Sequence, residues 1–267
     1  MKISIIMGVY NCEDTLDEAI MSIMNQTYKD WEFIICDDGS TDNTYNVAYK
    51  YKQHYPDQFV ILKNDCNKGL NYTLNQCLKY ARGEYIARMD GDDIAFPNRF
   101  ETQIQFLQEH KEYSFVSCSS IYFDNQTEIH NIKKDGEPDI NRFAIGSPFC
   151  HAASMVRKEA YDDVGGYSES KTRKRVEDYD LWIRMYEMGL RGYNLATHFY
   201  KIREDFNAYK RRKYRYRINE FLVSISAVYK LKLPIYLYIY SLRPLLVGLL
   251  PKRLYIYLHN NKLSKKK

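Results

Sequence analysis

A chain of 267 residues with 45% apolar side chains can bury a sizeable core, as one large domain or one domain plus an appendage. Six cysteines (12, 36, 66, 77, 118 and 150) form no C-x-x-C pair, which argues against a disulfide framework or a zinc site and fits buried thiols in a reducing cytosol. Net charge is only +5 but uneven: residues 210–217 are strongly basic, the chain ends Lys265-Lys266-Lys267, and many of the 26 tyrosines lie after residue 185.

The first predicted strand, residues 3–7, follows Met1 directly, so no signal peptide is expected. Gly8-Val9-Tyr10-Asn11 is the turn after it, and Asn11 is a candidate N-cap for a helix over 13–25. A nicotinamide enzyme would carry G-x-G-x-x-G at this turn, and it is absent. Residues 31–36 read as the second strand, ending in Asp37-Asp38-Gly39-Ser40-Thr41-Asp42, where Ser40 or Asp42 could cap the next helix. Residues 59–63 are the third strand, and Asn67-Lys68-Gly69-Leu70 opens a helix to about 80.

Residues 84–89 are a buried fourth strand, followed by Asp90-Gly91-Asp92-Asp93 and then Pro97, which can open a helix over 97–109. Extended backbone puts Asp90 and Asp92 on one side. Paired hard oxygens suit Mn²⁺ or Mg²⁺, and such a cation suits a diphosphate. An EF-hand is excluded by spacing. Residues 114–123 form a fifth extended segment, and 124–139 read as a loop. Strands alternating with helices over 1–123 imply an α/β protein with a three-layer, Rossmann-like, mostly parallel sheet. Ligands bind at the carboxyl edge of such sheets.

Four segments carry a resemblance. Ile5-Ile6-Met7-Gly8-Val9-Tyr10-Asn11, Asp37 to Asp42, Asn67 to Leu70, and residues 83–93 are similar, in order and spacing, to the nucleotide-sugar domain of family 2 inverting glycosyltransferases, over roughly residues 1–200. The resemblance implies a GT-A fold and transfer of a hexosyl or N-acetylhexosaminyl group from a nucleotide sugar, UDP-linked, to a glycan or lipid-linked acceptor in surface polysaccharide synthesis. Gly8, Val9, Tyr10 and Asn11 would line the nucleoside pocket, Asp38 would meet the base, and Lys68 could touch the nucleotide. Asp90 and Asp92 would hold the cation, with Gly91 between them. His151, at the head of a strand over 152–157, resembles a residue near the acceptor.

Val176-Glu177-Asp178-Tyr179-Asp180-Leu181-Trp182 opens a helix where acids favour the dipole. Leu181, Trp182, Met185 and Met188 form an apolar stripe that includes Asp178, whereas Glu177 and Asp180 fall on the polar side. The family has a Glu-Asp pair here, one of whose acids is the base. That role is carried to Asp178, with Asp180 in reserve and Glu177 and Asp180 on the acceptor side. Many GT-A enzymes add a metal-binding His beyond this helix; Arg203 falls in its place, suited to a phosphate, with Arg211 or Arg212 as helpers. His198, five residues earlier, would face the opposite side of an extended strand.

The catalytic domain is expected to span 1–205. Residues 206–267 are expected to form a basic, aromatic-rich helical appendage, with a helix over 218–231. Two prolines and Arg243 within 233–250 argue against a spanning helix and favour a peripheral element at the inner face of the cell membrane. No nucleic-acid partner is expected. Two rivals are a nucleotidyltransferase, which would want a Gly-rich first loop, and an inactive membrane-associated partner.

Overall fold

The computed structural model describes residues 1–124, 127–203 and 213–250. Strands β1 (Ile3–Val9), β2 (Trp31–Asp37), β3 (Phe59–Lys63) and β4 (Tyr85–Arg88) alternate with helices α1 (Leu16–Met24), α2 (Thr44–His54) and α3 (Leu70–Tyr80). They pair in parallel in the order β3-β2-β1-β4. Strand order reverses at β1, so the crevice between the β1 and β4 ends is the switch point of the sheet.

The two-residue β5 (Ile94–Ala95) leads into α4 (Arg99–Glu109) and β6 (Phe115–Phe123), then β7 (Glu128–Asn131). β8 (Met155–Arg157) runs into α5 (Lys158–Val164), followed by α6 (Glu177–Glu187) and β9 (Gly192–Arg203). β8 lies antiparallel between β4 and β6, β9 runs parallel to β6, and β5 closes that end against β9. The predicted loop 124–139 thus contains a strand. β7 pairs only with β6 and shows no buried face, so its polar sequence carried no alternation.

Alternation along β1 builds the layers. Ile3, Ile5, Met7 and Val9 face the core under α1, α2 and α4, whereas Ile6 faces the core under α3, α5 and α6. α7 (Tyr214–Lys230) starts four residues before the predicted helix and joins that second core through Val223, Ala227 and Val228. The short helices α8 (Tyr238–Ser241) and α9 (Arg243–Gly248) pack on α7. The described part of the predicted appendage is therefore continuous with the core rather than set apart from it. Arg211, Arg212 and the terminal lysines lie outside the described residues. Among the described residues, no helix is long and apolar enough to cross a membrane.

Helix α1 begins at Leu16, three residues later than expected, because the residues before it bond across the sheet edge instead. Asn11 adopts φ 51°, and its side chain accepts from the Thr41 N–H at 3.0 Å rather than capping α1. Cys12 N–H donates to Thr44 Oγ1 at 2.7 Å, and Thr15 Oγ1 donates to the Gly91 carbonyl at 2.9 Å. The loops after β1, β2 and β4 are thereby laced together.

Candidate active site

Those three loops, the start of α3, the segment before α6 and the first turn of α7 enclose a cleft of about 590 Å³. Gly8, Val9, Tyr10 and Asn11 line one wall. Gly8 is closely packed: a Cβ there would meet Leu70 Cδ1 at 3.0 Å and Thr73 Cγ2 at 3.1 Å, so these side chains would have to shift. Asp38 lies at the back, 4% exposed. It accepts from Asn64 Nδ2 at 2.9 Å and from the Lys68 and Gly69 N–H groups at 2.9 and 2.8 Å. The Asn67 to Gly69 turn thus acts through its backbone. The Lys68 ammonium lies over the Tyr72 ring at 4.8 Å and is not part of the cleft wall.

The acidic turn splits three ways. Asp90 lines the cleft and pairs with Arg88, which is buried beneath it. Asp92 lies outside the cleft wall and is open to solvent on one side; the protein packed around its carboxyl, then the Asp90 charge, push its pKa up. Asp93 is turned inward and accepts from the Arg203 N–H at 2.8 Å. Gly91 is buried, and a Cβ there would meet Val9 Cγ1 at 2.8 Å, so its role is close approach of two loops.

Asp90 and Asp92 fit a hard divalent cation: they are two carboxylates of one turn, and the Asp90 charge disfavours ionisation of Asp92. Among the described residues no group of three or more His, Cys, Asp or Glu side chains could hold a metal. A cation here would need oxygens from its ligand and from water.

Arg203 does not reach the cleft. Its Nε donates to the Asp92 carbonyl at 3.0 Å, its Nη2 pairs with Glu18, and its guanidinium covers Phe123. The expected diphosphate contact is therefore corrected: Glu18 on α1 draws the side chain to the outer side of the turn. His198 does not simply alternate with it either, because β9 slips register against β6 around Ser119. Its ring packs edge-on against His130, with centroids 5.0 Å apart.

The acids of α6 also separate. Glu177 lines the cleft, with one carboxyl oxygen buried and unpartnered among the described residues. Burial, then the neighbouring Asp178 charge, raise its pKa to about 7. Asp178 instead opens onto an adjoining cleft of about 470 Å³. Burial raises its pKa, opposed by the Tyr179 N–H and the Ser147 hydroxyl. Asp180 reaches neither cleft: it is held by Arg173 at 2.6 Å and Arg184 at 2.9 Å. The expected polar face is thus wrong. Tyr179 to Ile183 are all buried while Met188 is exposed, so α6 is covered on most sides near its start and a single stripe does not describe it.

His151 donates to or accepts from the Tyr167 hydroxyl at 2.7 Å, and Tyr167 in turn meets Tyr161 at 2.8 Å. Burial, then Arg88, hold its pKa well below the usual value. It is a neutral ring in a buried polar chain and lines neither cleft.

Lys174, Arg175 and Tyr216 line the cleft but escaped the sequence reading, as did Asn71 and Thr73 on α3. The basic run Lys171-Thr172-Arg173-Lys174-Arg175 just before Glu177 was the available signal. Arg175 adopts φ 68°, an uncommon conformation for a long side chain.

The profile of Glycosyl transferase family 2 matches residues 4–165, and that of Glycosyl transferase family group 2 matches residues 85–260. Bacillus subtilis glycosyltransferase EpsE is 45% identical over 250 residues, covering 94% of this chain and 90% of its own. The Escherichia coli UDP-Glc:alpha-D-GlcNAc-diphosphoundecaprenol beta-1,3-glucosyltransferase WfaP is 34% identical over 202 residues, covering 75% and 77%. S. aureus TarS in complex with UDP-GlcNAc superposes with TM-score 0.70 at 20% identity, over 85% of this chain and 67% of that one. Mannosyltransferase PcManGT from Pyrobaculum calidifontis, in complex with GDP-Man and Mn²⁺, gives TM-score 0.64 at 16% identity, over 98% and 79%. These likenesses fix the fold as GT-A. With a family profile over more than half of its length and a relative this similar from end to end, the chain belongs to glycosyl transferase family 2.

Proposed function

We propose that this glycosyltransferase moves a sugar from a UDP-linked donor to a hydroxyl of a glycan or lipid-linked acceptor in surface polysaccharide synthesis, inverting the anomeric centre. The observation that carries this reading is the division of acids between two adjoining clefts: Asp38 and Asp90 face one, and Asp178 faces the other. The names of relatives support the substrate classes: WfaP uses UDP-Glc, and AmsE of Erwinia amylovora serves amylovoran biosynthesis.

The first cleft takes the donor. Gly8 to Asn11 line the nucleoside, and Asp38 accepts from the base. Asp90 and Asp92 would hold a Mn²⁺ or Mg²⁺ ion, which would supply positive charge to the diphosphate. Lys174 and Arg175 also line this cleft and add positive charge for the leaving diphosphate as it collects electrons. Asp178 takes the proton of the acceptor hydroxyl as its oxygen bonds to the anomeric carbon and the sugar–phosphate bond breaks. Attack from the second cleft, with departure into the first, is the arrangement that inversion requires.

Ile235, Tyr236, Ile239, Leu246 and Leu249 are between 63% and 84% exposed, and the sequence beyond them carries Lys252, Arg253 and the terminal lysines. An exposed apolar face followed in the sequence by basic residues suits the surface of an anionic bilayer, on the cytoplasmic side where nucleotide sugars are available.

Release of UDP from UDP-sugars, with and without acceptor, tests the activity. Asp178→Asn should lower kcat at least about 100-fold, within the usual range for a general base, with donor KM little changed. Asp180→Asn should instead lower the melting temperature, because it strips charge from a carboxylate held by two arginines. The reverse pattern would exchange their roles.

Glu177 gives a pH test. Its folded-state pKa of about 7 lies above the ordinary 4.5, so its contribution to stability is full below about 4.5 and is lost as pH rises through about 7. Glu177→Gln cannot lose that proton. Its melting temperature should gain on the parent's between pH 5 and 8; parallel curves would mean that Glu177 titrates normally.

Co-sedimentation with phosphatidylglycerol vesicles checks the membrane face. Ile239→Glu with Leu246→Glu, and added salt, should each reduce the bound fraction. Equal binding by parent and variant would remove this face from membrane contact.

A further inference from the structure

Two cations of the donor cleft, Lys174 and Arg175, are neighbours in one tight turn, and arginine is an odd residue for its place there. A short 3₁₀ helix over Lys171–Arg173 ends at Lys174, whose φ and ψ are −67° and 127°. Arg175 follows with φ 68°, and the Val176 N–H donates to the Arg173 carbonyl at 3.3 Å. These angles and this hydrogen bond are those of a type II turn. The third position of such a turn requires φ > 0 and ordinarily holds glycine. Strain of this kind at a ligand-facing side chain persists only where the surroundings impose it.

A type II turn differs from the commoner type I by a flip of its central peptide, in this chain the Lys174–Arg175 bond. In type I the third residue relaxes to φ of about −90°, which would send the Arg175 side chain in another direction. A contact outside the turn must therefore favour the flipped peptide. Asn219, buried on α7, makes that contact. Its Nδ2 donates to the Lys174 carbonyl, the oxygen that the flip reverses, at 2.9 Å, and to the Lys171 carbonyl at 3.4 Å. The base of the turn is anchored separately, by Arg173 Nε on Asp180 at 2.6 Å. α6 thus holds the start of the turn and α7 holds its tip.

What the tip carries is charge. Both Lys174 and Arg175 line the donor cleft. A Cβ on Gly69 would lie 3.8 Å from the Lys174 ammonium, so that group stands beside the loop whose N–H groups meet Asp38. Asn219 itself lines neither cleft. It acts on the ligand only through the backbone it bonds.

We propose that Asn219 is a positioning residue for the donor diphosphate: by holding the Lys174–Arg175 peptide flipped, it aims the Arg175 guanidinium at the phosphates of the nucleotide. The proposal rests on the reading of this cleft as the donor site.

The test measures UDP and UMP affinity, each with Mn²⁺, in the full chain. The parent is compared with Arg175→Ala, Asn219→Ala and the double variant. Each single substitution should weaken UDP at least about tenfold and UMP less than about threefold, because the guanidinium's charge-assisted bonds go chiefly to the diphosphate. In the Arg175→Ala background, Asn219→Ala should cost little more, since both changes remove one contact. Asn219→Leu fills the buried site without a donor and is measured alongside. Arg175→Gly should melt above Arg175→Ala, because glycine fits φ 68° without strain. Undiminished UDP affinity in Arg175→Ala would sink the diphosphate reading of Arg175 and the proposal with it. A weakened Arg175→Ala beside unaffected Asn219→Ala and Asn219→Leu would overturn the positioning role alone. Equal loss of UDP and UMP, or full additivity in the double variant, would also overturn it, because Asn219 would then serve the fold at large. Arg175→Gly melting at or below Arg175→Ala would remove the flipped turn on which the proposal stands.

Discussion

The mouth of the sheet depends on one buried positive charge. Arg88 ends β4 with 1% of its surface exposed, and its guanidinium pairs with Asp90 and with the Met89 carbonyl. Burial works most strongly against its charge, but Asp90 together with the Tyr167 and Tyr200 side chains outweighs that, and its pKa is raised. Its field also reaches Asp92, Glu177 and Asp178, which come from two distant parts of the chain. Uncompensated, these acids would repel one another strongly in so dry a setting. Arg88 allows them to converge and leaves the outer side of Asp90 and Asp92 facing solvent, where a further cation can be accommodated.

Around that charge the fold supplies rigid strand ends. Parallel β2, β1 and β4 deliver their loops to one edge, and the loops hold one another through Asn11 with Ser40 and Thr41 and through Thr15 with Gly91. Asp38 is oriented by the backbone N–H groups of Lys68 and Gly69 and by the buried Asn64 side chain. α7 then closes the open side, so residues late in the chain complete both clefts. Groups that must meet a ligand are thus carried on elements whose own hydrogen bonds are already satisfied.

Much of this was legible because it is local. Short apolar runs bounded by turn residues located β1 to β4, and the motifs at their ends, Gly8 to Asn11, Asp38 and Asp90, line one cleft. What failed was set by tertiary packing. The face of α6 could not be deduced because the helix is buried on most sides where it starts, so Asp180, expected on the polar face, is buried between two arginines and Glu177 lines a cleft. Arg203 was drawn away by Glu18, a partner 185 positions earlier. Lys174, Arg175 and Tyr216 reach the cleft only because Asn219 clamps a loop to α7, and no periodicity announces that contact.

The central claim is that the edge holding Asp38, Asp90 and Asp92 binds a nucleoside diphosphate together with a divalent cation. Titration of UDP with and without Mn²⁺, in the parent and in Asp92→Ala, tests it most directly. The account predicts that Mn²⁺ tightens UDP binding to the parent and that Asp92→Ala loses this gain while keeping the metal-free affinity. Identical UDP affinity with and without Mn²⁺ in the parent, or a full Mn²⁺ gain in Asp92→Ala, would contradict it.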